Sequence, residues 1–198
     1  MSQIILHESK KWLAYYIHYD TPQLIFYRST GIKKEILQKG FTQLDNLMTY
    51  YSKVTVIFLQ LHQQQFTEDN QVITKFLVKF QKRLKSEYAS RIGYLWVREH
   101  NGAPAQHYHL AVMLNGHKCC RSGNVKQIAH DIWQNQSDGN YTYSVKNRIY
   151  RIESYKGERE LNAARMRLSY FAKRDTKDFD KYTNSFGTSQ LRRNKRVS

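Results

Sequence analysis

Apolar positions along the chain follow two periods, one typical of buried strands and the other of amphipathic helices. Residues 54–61, Val-Thr-Val-Ile-Phe-Leu-Gln-Leu, form a β-branched run that predicts a fully buried central strand. From Thr67 the apolar residues recur at helical spacing, which predicts a helix with Ile73, Phe76, Leu77, Phe80 and Leu84 on its buried face. The same spacing predicts helices over 31–51, from about Ser122 or Asn124 to Trp133, and over 158–174.

Strands are predicted near 92–99 and 107–114, and again at 141–145 and 148–154. The first two are separated by Asn101-Gly102-Ala103-Pro104, a strong turn signal that predicts a β-hairpin. Residues 1–30 are rich in aromatic side chains and predict a helix followed by a short strand. The order of elements predicts an α+β fold, in which a mostly antiparallel central sheet has flanking helices on one face. We therefore expect an N-terminal extension over 1–50, a main domain over 51–180 and a flexible basic tail over 181–198, where Arg192, Arg193, Lys195 and Arg196 lie.

The charge of the chain points to a polyanionic partner. Lys and Arg number 32 against 16 Asp and Glu, a formal net charge of +16. Cations that neutralise phosphates release condensed counterions, so this balance favours binding to nucleic acid. No apolar run approaches the roughly 20 residues of a membrane span. The two cysteines, Cys119 and Cys120, are adjacent and poorly placed to bridge each other, which fits a reducing cytoplasmic compartment.

The predicted hairpin brings together three potential metal ligands. Alternate residues of a strand share a face, so His107 and His109 project side by side. If the turn is centred near Ala103, Glu99 lies opposite His107, with Cβ atoms about 5 Å apart. Two imidazoles and one carboxylate leave coordination positions open for water or a phosphate oxygen, which suits catalysis. A bulge would shift the register by one residue and offer His100 in place of Glu99.

The last predicted helix presents a tyrosine among cations. At 3.6 residues per turn, Tyr170 lies away from the apolar stripe, on a face with Met166, Arg167, Lys173 and Lys177. Neighbouring cations favour the phenolate and offset the charge of a pentavalent phosphorus transition state. Attack on a phosphate would give a phosphotyrosine ester, which a free 3′-hydroxyl could later reverse.

Taken together, these segments resemble the HUH endonucleases, which comprise rolling-circle replication initiators, relaxases and related transposases. The His-hydrophobe-His strand that names the family matches His107-Tyr108-His109, although Tyr108 is larger than the usual aliphatic residue. In the replication-initiator branch a Glu often stands eight residues before the first His, as Glu99 does, and the nucleophile lies in a Tyr-x-x-Lys helix, as Tyr170 and Lys173 do. The nearest resemblance is to single-tyrosine replication proteins of filamentous phages and prophages in bacteria, and it covers about residues 52–178.

The resemblance implies a fold with an RRM-like or ferredoxin-like core and a specific chemistry. Glu99, His107 and His109 would hold Mg²⁺ or Mn²⁺, Tyr170 would attack the scissile phosphate, and Lys173 would offset charge. The substrate would be single-stranded DNA or origin DNA extruded from a duplex. Arg165, Arg167, Arg174 and Lys177 are candidates for contacts with the DNA backbone. No second tyrosine lies near Tyr170, and no phosphate-binding Gly-x-x-x-x-Gly-Lys motif occurs, so unwinding would require a separate helicase.

Two alternatives belong to other functional classes. One is a replication or transcription regulator that binds DNA through an HUH-like fold without cleaving it. The other is a structural zinc site formed by His107, His109, Cys119 and Cys120, although adjacent cysteines lack the usual spacing of a zinc clamp.

Overall fold

The protein has an α+β fold, in agreement with the sequence. The computed structural model describes residues 3–100, 103–143, 145–174 and 184–195. Over those residues its elements are β1 Ile4–Leu6, β2 Leu13–His18, β3 Thr21–Phe26, α1 Lys34–Met48, β4 Lys53–His62, α2 Gln71–Tyr88, β5 Gly93–Glu99, β6 His107–Asn115, α3 Gly123–Gln134, β7 Tyr141–Tyr143, β8 Ile149–Glu153, α4 Arg159–Ser169 and β9 Phe186–Thr188. A 3₁₀ turn, Tyr170–Ala172, follows α4 directly.

The larger sheet is antiparallel and has β4 and β6 at its centre. Its strands follow the order β7-β4-β6-β5-β9, and β8 pairs with the same edge of β4 as β7 does, nearer the start of β4. The predicted central strand and the predicted hairpin are both confirmed. The β-branched and aliphatic residues of β4 favour this position because both of its faces are covered.

Helices cover both faces of this sheet, so the expectation of helices on one face is wrong. Residues Ile57, Leu59 and Leu61 pack with α2 and α3, whereas Val54, Val56 and Phe58 pack with α1 and α4. The physical reason is visible in β4 itself, where consecutive residues are apolar and both faces must be kept from water. None of the helices within the described residues combines the length and apolar character needed to cross a membrane.

Residues 4–26 form a three-stranded antiparallel sheet, and not the expected helix and strand. Strands β2 and β3 are joined by a two-residue turn in which Tyr19 and Asp20 have φ of 46° and 60°. Successive residues of these strands alternate between buried and exposed positions, which is the strand period. Ala14, Tyr16 and Ile25 are buried in the same apolar cluster as α1 and β4. The segment 1–50, expected as an extension, therefore contributes to the core of the protein.

Part of the expected flexible tail also belongs to the fold. Strand β9 pairs with β5, with Phe186 opposite Val97. Further on, the carbonyl of Leu191 accepts a hydrogen bond of 2.8 Å from the side chain of Asn46 on α1. Arg196, the last basic residue of the predicted tail, lies outside the described residues.

Candidate active site

The β5–β6 hairpin places the three predicted metal ligands on one face of the sheet. Glu99 pairs with His107 and Val97 pairs with His109, which is the register expected from the turn. The Glu99 Oε2 atom lies 3.3 Å from Nε2 of His109 and 3.7 Å from Nε2 of His107. One ligand atom from each of the three residues lies within 4.8 Å of the others, so the group could hold a metal ion.

His100 does not replace Glu99 in this group. The register of the hairpin is continuous from Gly93 to Glu99, so no bulge shifts the following residue towards His107. The ring of His100 instead lies beside Phe66, with centroids 5.0 Å apart. The alternative in which His100 is the third ligand is therefore wrong.

Burial affects the protonation of His107 in this group. Glu99 is only 2% exposed. Burial, aided by the neighbouring His109 and opposed by Glu99, lowers the pKa of His107 to about 4. At neutral pH this imidazole is uncharged and has a nitrogen lone pair, as a metal ligand requires. Burial also lowers the pKa of His62, whose ring stacks on that of His107 with centroids 5.0 Å apart.

Tyr170 and Lys173 approach the metal-ligand group from α4 and its 3₁₀ turn. The Lys173 ammonium lies 3.0 Å from the hydroxyl of Tyr170 and 3.4 Å from Oε2 of Glu99. The ring centroid of Tyr170 lies 6.2 Å from that of His109. The ammonium of Lys173 thus connects the phenol to the carboxylate, and the Tyr-x-x-Lys spacing places both side chains on the same side of the turn.

Hydrogen bonds from distant segments hold the 3₁₀ turn in place. The backbone N–H of Lys33 donates to the carbonyl of Ala172 at 2.8 Å, and the N–H of Arg174 donates to the carbonyl of Gly31 at 3.2 Å. On the other side, the N–H of Phe26 donates to Oγ of buried Ser169 at 2.8 Å. The N-terminal sheet and the start of α1 therefore fix the position of Tyr170.

These residues line a cleft of about 420 Å³, together with one residue that was not predicted from the sequence. The lining residues are Gln60, Glu99, His107, His109, Arg167, Tyr170 and Lys173. Gln60 belongs to β4 and lies directly opposite His109. Its signal in the sequence is a single amide in a strand whose neighbours are apolar, and only the pairing register relates that amide to the histidines.

The four cations predicted to contact DNA lie in different surroundings. Arg167 lines the cleft, with its guanidinium 5.7 Å from the ring centroid of Tyr170. Arg174 follows the 3₁₀ turn and is exposed. Arg165 points away from the cleft, where its guanidinium contacts Asp45 at 2.6 Å and Gln23 at 2.8 Å. Lys177 lies outside the described residues.

Arg165 therefore joins α4 to α1 and to the N-terminal sheet, a structural role that does not support the predicted contact with DNA. Asp45, its partner on α1, also bonds Nε2 of His18 at 2.6 Å. Burial on its own would raise the pKa of Asp45. The hydrogen bond with His18 and the charge of Arg165 outweigh burial and hold that pKa below its usual value.

The structural zinc site is excluded by distance along the sheet. His107 and His109 are at the start of β6, whereas Cys119 and Cys120 follow its end at Asn115. A strand of this length spans about 30 Å at 3.3 Å per residue. Cys119 is buried with the apolar residues of α2 and α3, on the other face of the sheet from the histidines.

Comparison with known proteins gives a family for the chain. No curated protein and no solved structure matches the chain. A family model described as the YagK/YfjJ C-terminal domain matches residues 18–189, a range that contains every residue of the cleft. The chain therefore belongs to the YagK/YfjJ C-terminal domain family.

Proposed function

We propose that this protein is a metal-dependent DNA endonuclease of the HUH type, which nicks single-stranded DNA and forms a 5′-phosphotyrosine intermediate. The observation that carries the proposal is the convergence of Tyr170 and Lys173 with the Glu99–His107–His109 group in one cleft. The tyrosine and the hairpin are more than sixty residues apart in the sequence. Local structure alone does not bring them together.

The covalent step would be a transesterification by Tyr170. A bond forms between its phenolic oxygen and the scissile phosphorus, and the bond from phosphorus to the 3′-oxygen breaks. The phenolic proton passes to solvent, and the departing 3′-oxygen takes up a proton to become a hydroxyl. Because one phosphodiester replaces another, the 3′-hydroxyl of a strand can later attack the phosphotyrosine and rejoin the DNA.

Lys173 is the residue best placed to assist this step. Its ammonium lies 3.0 Å from the hydroxyl of Tyr170, where a positive charge favours the phenolate and offsets charge on the phosphate. Arg167, on the wall of the same cleft, supplies a second cation beside the tyrosine ring. The side chain of Lys173 is buried, which strengthens the effect of its charge.

The residues of the hairpin fit a divalent cation. A buried carboxylate and two imidazoles have ligand atoms close enough to share one ion, and three protein ligands leave further positions open. We propose Mg²⁺ or Mn²⁺, which when bound polarises the phosphate and stabilises its developing charge. Glu99, His107 and His109 would hold the ion, and Gln60 would contact the substrate or a water beside it.

We further propose that the reaction initiates rolling-circle-type replication. The substrate would be single-stranded DNA or origin DNA extruded from a duplex, because the reacting strand must enter the cleft unpaired. The net charge of +16 favours such a polyanionic partner. The chain lacks a phosphate-binding loop motif for nucleoside triphosphates, so a separate helicase would open the duplex.

The proposal is tested with labelled single-stranded oligonucleotides that tile the origin or intergenic region of the replicon encoding the protein. The protein is incubated with Mn²⁺ or with EDTA, and covalent adducts are resolved on denaturing gels. We expect one nick and one adduct, both dependent on metal and both lost in Tyr170→Phe.

Tyr155→Phe is the matched control, because Tyr155 is exposed and lies beside Lys53, at the opposite end of β4 from the cleft. That variant should nick as the wild type does. Cleavage that persists in Tyr170→Phe would reject Tyr170 as the nucleophile. DNA binding without cleavage in the presence of Mn²⁺ would reject the endonuclease and favour the regulator that binds DNA without cutting it.

A further inference from the structure

Two exposed tyrosines continue the row of cleft residues to the edge of the sheet. Tyr143 pairs with Gln60, which pairs with His109, and Tyr141 pairs with His62, which pairs with His107. Directly opposite residues of antiparallel strands project to the same face. Tyr141 and Tyr143 therefore lie on the face that carries the metal-ligand group, two strand spacings or about 10 Å from the histidines.

The rings along one of these rows form a continuous stack. His107 and His62 have centroids 5.0 Å apart and planes at 10°, and His62 and Tyr141 have centroids 4.6 Å apart and planes at 9°. Tyr141 ends this stack and is still 46% exposed. Tyr143 is 58% exposed and meets His62 edge-on, with centroids 6.4 Å apart.

We infer that Tyr141 and Tyr143 form a stacking platform for an unpaired nucleobase of the DNA strand whose phosphate enters the cleft. This inference rests on the proposed nuclease function and specifies how its substrate is chosen. A flat ring with an open face, parallel to the rings beneath it, is the feature that single-strand-binding proteins use to hold bases of any sequence. Adjacent phosphates would meet Arg167 and Lys173 in the cleft.

The platform would explain a requirement for single-stranded DNA. A base stacked on Tyr141 or Tyr143 cannot at the same time remain stacked and paired within a duplex. The strand would therefore be held by one base beside the cleft while its neighbouring phosphate reaches Tyr170. Because stacking involves the ring face and not base edges, the platform would select unpaired bases without selecting a sequence.

The test measures binding without cleavage, in EDTA, by fluorescence anisotropy. The probes are a labelled oligothymidylate of about 12 nucleotides, a length within the range that small single-strand binders cover, and a strand with the same phosphates whose sugars carry no base. The wild type should bind the oligothymidylate more tightly than the strand without bases. In Tyr141→Leu/Tyr143→Leu that preference should fall by about 5- to 150-fold, the range for a lost base–aromatic stack.

Two controls separate stacking from other roles. The double variant Tyr141→Phe/Tyr143→Phe keeps both rings and removes both hydroxyls, so it should retain the preference for bases. Tyr155→Leu removes a tyrosine that is 63% exposed but lies at the far end of β4, and it should also retain the preference. Thermal unfolding followed by circular dichroism checks that the leucine variant is folded. If the leucine variant is not folded, the phenylalanine variant still tests the platform, because a lost preference for bases with both rings present would contradict stacking.

Three results would overturn the platform: equal binding of both probes by the wild type, an unchanged preference in the leucine variant, or an equal loss in the phenylalanine variant. The same proteins are then assayed for nicking with Mn²⁺. If no protein nicks DNA but the preference for bases is lost only when the rings are removed, the platform is supported and the proposed endonuclease is rejected. If the wild type nicks DNA but the preference for bases does not depend on the rings, the endonuclease is supported and the platform is rejected.

Discussion

Ser169→Ala removes one buried hydroxyl next to Tyr170 and tests how this proposed nucleophile is positioned. Ser169 is fully buried, and its Oγ accepts a hydrogen bond from the N–H of Phe26 at 2.8 Å and donates to the carbonyl of Met166 at 2.7 Å. The substitution deletes a single oxygen atom, so it creates little empty space. Its main effect is to leave the N–H of Phe26 without its acceptor.

The expected cost follows from that N–H. A buried donor that loses its partner costs about 1–3 kcal/mol. For a chain of this size each 1 kcal/mol lowers Tm by about 2–4 °C, so Tm should fall by about 2–12 °C. The free energy of unfolding is measured by urea titration, followed by circular dichroism, for wild type and variant under the same conditions.

Thr55→Val, near the start of β4 in the larger sheet, is the matched control. Its buried hydroxyl donates to the carbonyl of Cys119 at 2.6 Å. A carbonyl has two lone pairs and tolerates the loss of a donor better than an N–H tolerates the loss of an acceptor, so the cost should be at most about 1 kcal/mol. Ser169→Ala should also slow formation of the covalent adduct, whereas Thr55→Val should not. Equal losses of stability in the two variants would refute this account of the Phe26–Ser169 bond.

Two further predictions concern the metal-ligand group and the ion pair between Asp45 and Arg165. Glu99→Gln should weaken Mn²⁺ binding, measured by isothermal titration calorimetry, by more than the roughly 10- to 100-fold typical of losing a hydrogen-bond partner of a ligand. Glu153 is a carboxylate paired with Lys53, and Glu153→Gln should leave Mn²⁺ binding unchanged. Equal affinity in both variants would exclude Glu99 as a ligand. Asp45 has a folded-state pKa below its usual value of 3.8, so it stabilises the fold above that pH and the stabilisation is lost as pH falls through the lower folded value. The difference in unfolding free energy between wild type and Asp45→Asn should therefore shrink below about pH 3.8, and a difference that grows there would contradict the assignment.

Local features of the sequence were sufficient to predict the metal-ligand group. His107 and His109 are two residues apart on one strand, and Glu99 lies across a short turn, so the period of the strand and the hairpin register determine their arrangement. The apolar run of β4 and the helical spacing in α2, α3 and α4 are equally local. The bounds of β4 and α3 were predicted to within one or two residues, whereas α2 begins at Gln71 and not at Thr67, and α4 ends at Ser169, with a 3₁₀ turn in place of the rest of the helix predicted over 158–174. A prediction succeeds in these places because the interacting residues are close in the sequence.

Two short edge strands, β1 and β9, were beyond this kind of prediction. Each has three residues, too few to establish a period, and β9 is stabilised by pairing with β5, about ninety residues earlier. The N-terminal sheet was mistaken for a helix and a strand for a related reason. Its aromatic side chains suit either element, and burial against α4 decides between them.

Local sequence was enough to identify residues that could take part in the proposed chemistry, namely the Glu-His-His group and a tyrosine with a lysine one turn away. Which of the candidate residues meet depends on contacts between distant segments. Arg165 and Arg167 are two residues apart on one helix, but Asp45 on α1 engages Arg165 and leaves Arg167 on the wall of the cleft. Gln60 and Tyr143 acquire their positions beside the histidines only through the pairing of β4 with β6 and β7. Such contacts join residues far apart in the chain, and they depend on the packing of the whole core, which no local pattern encodes.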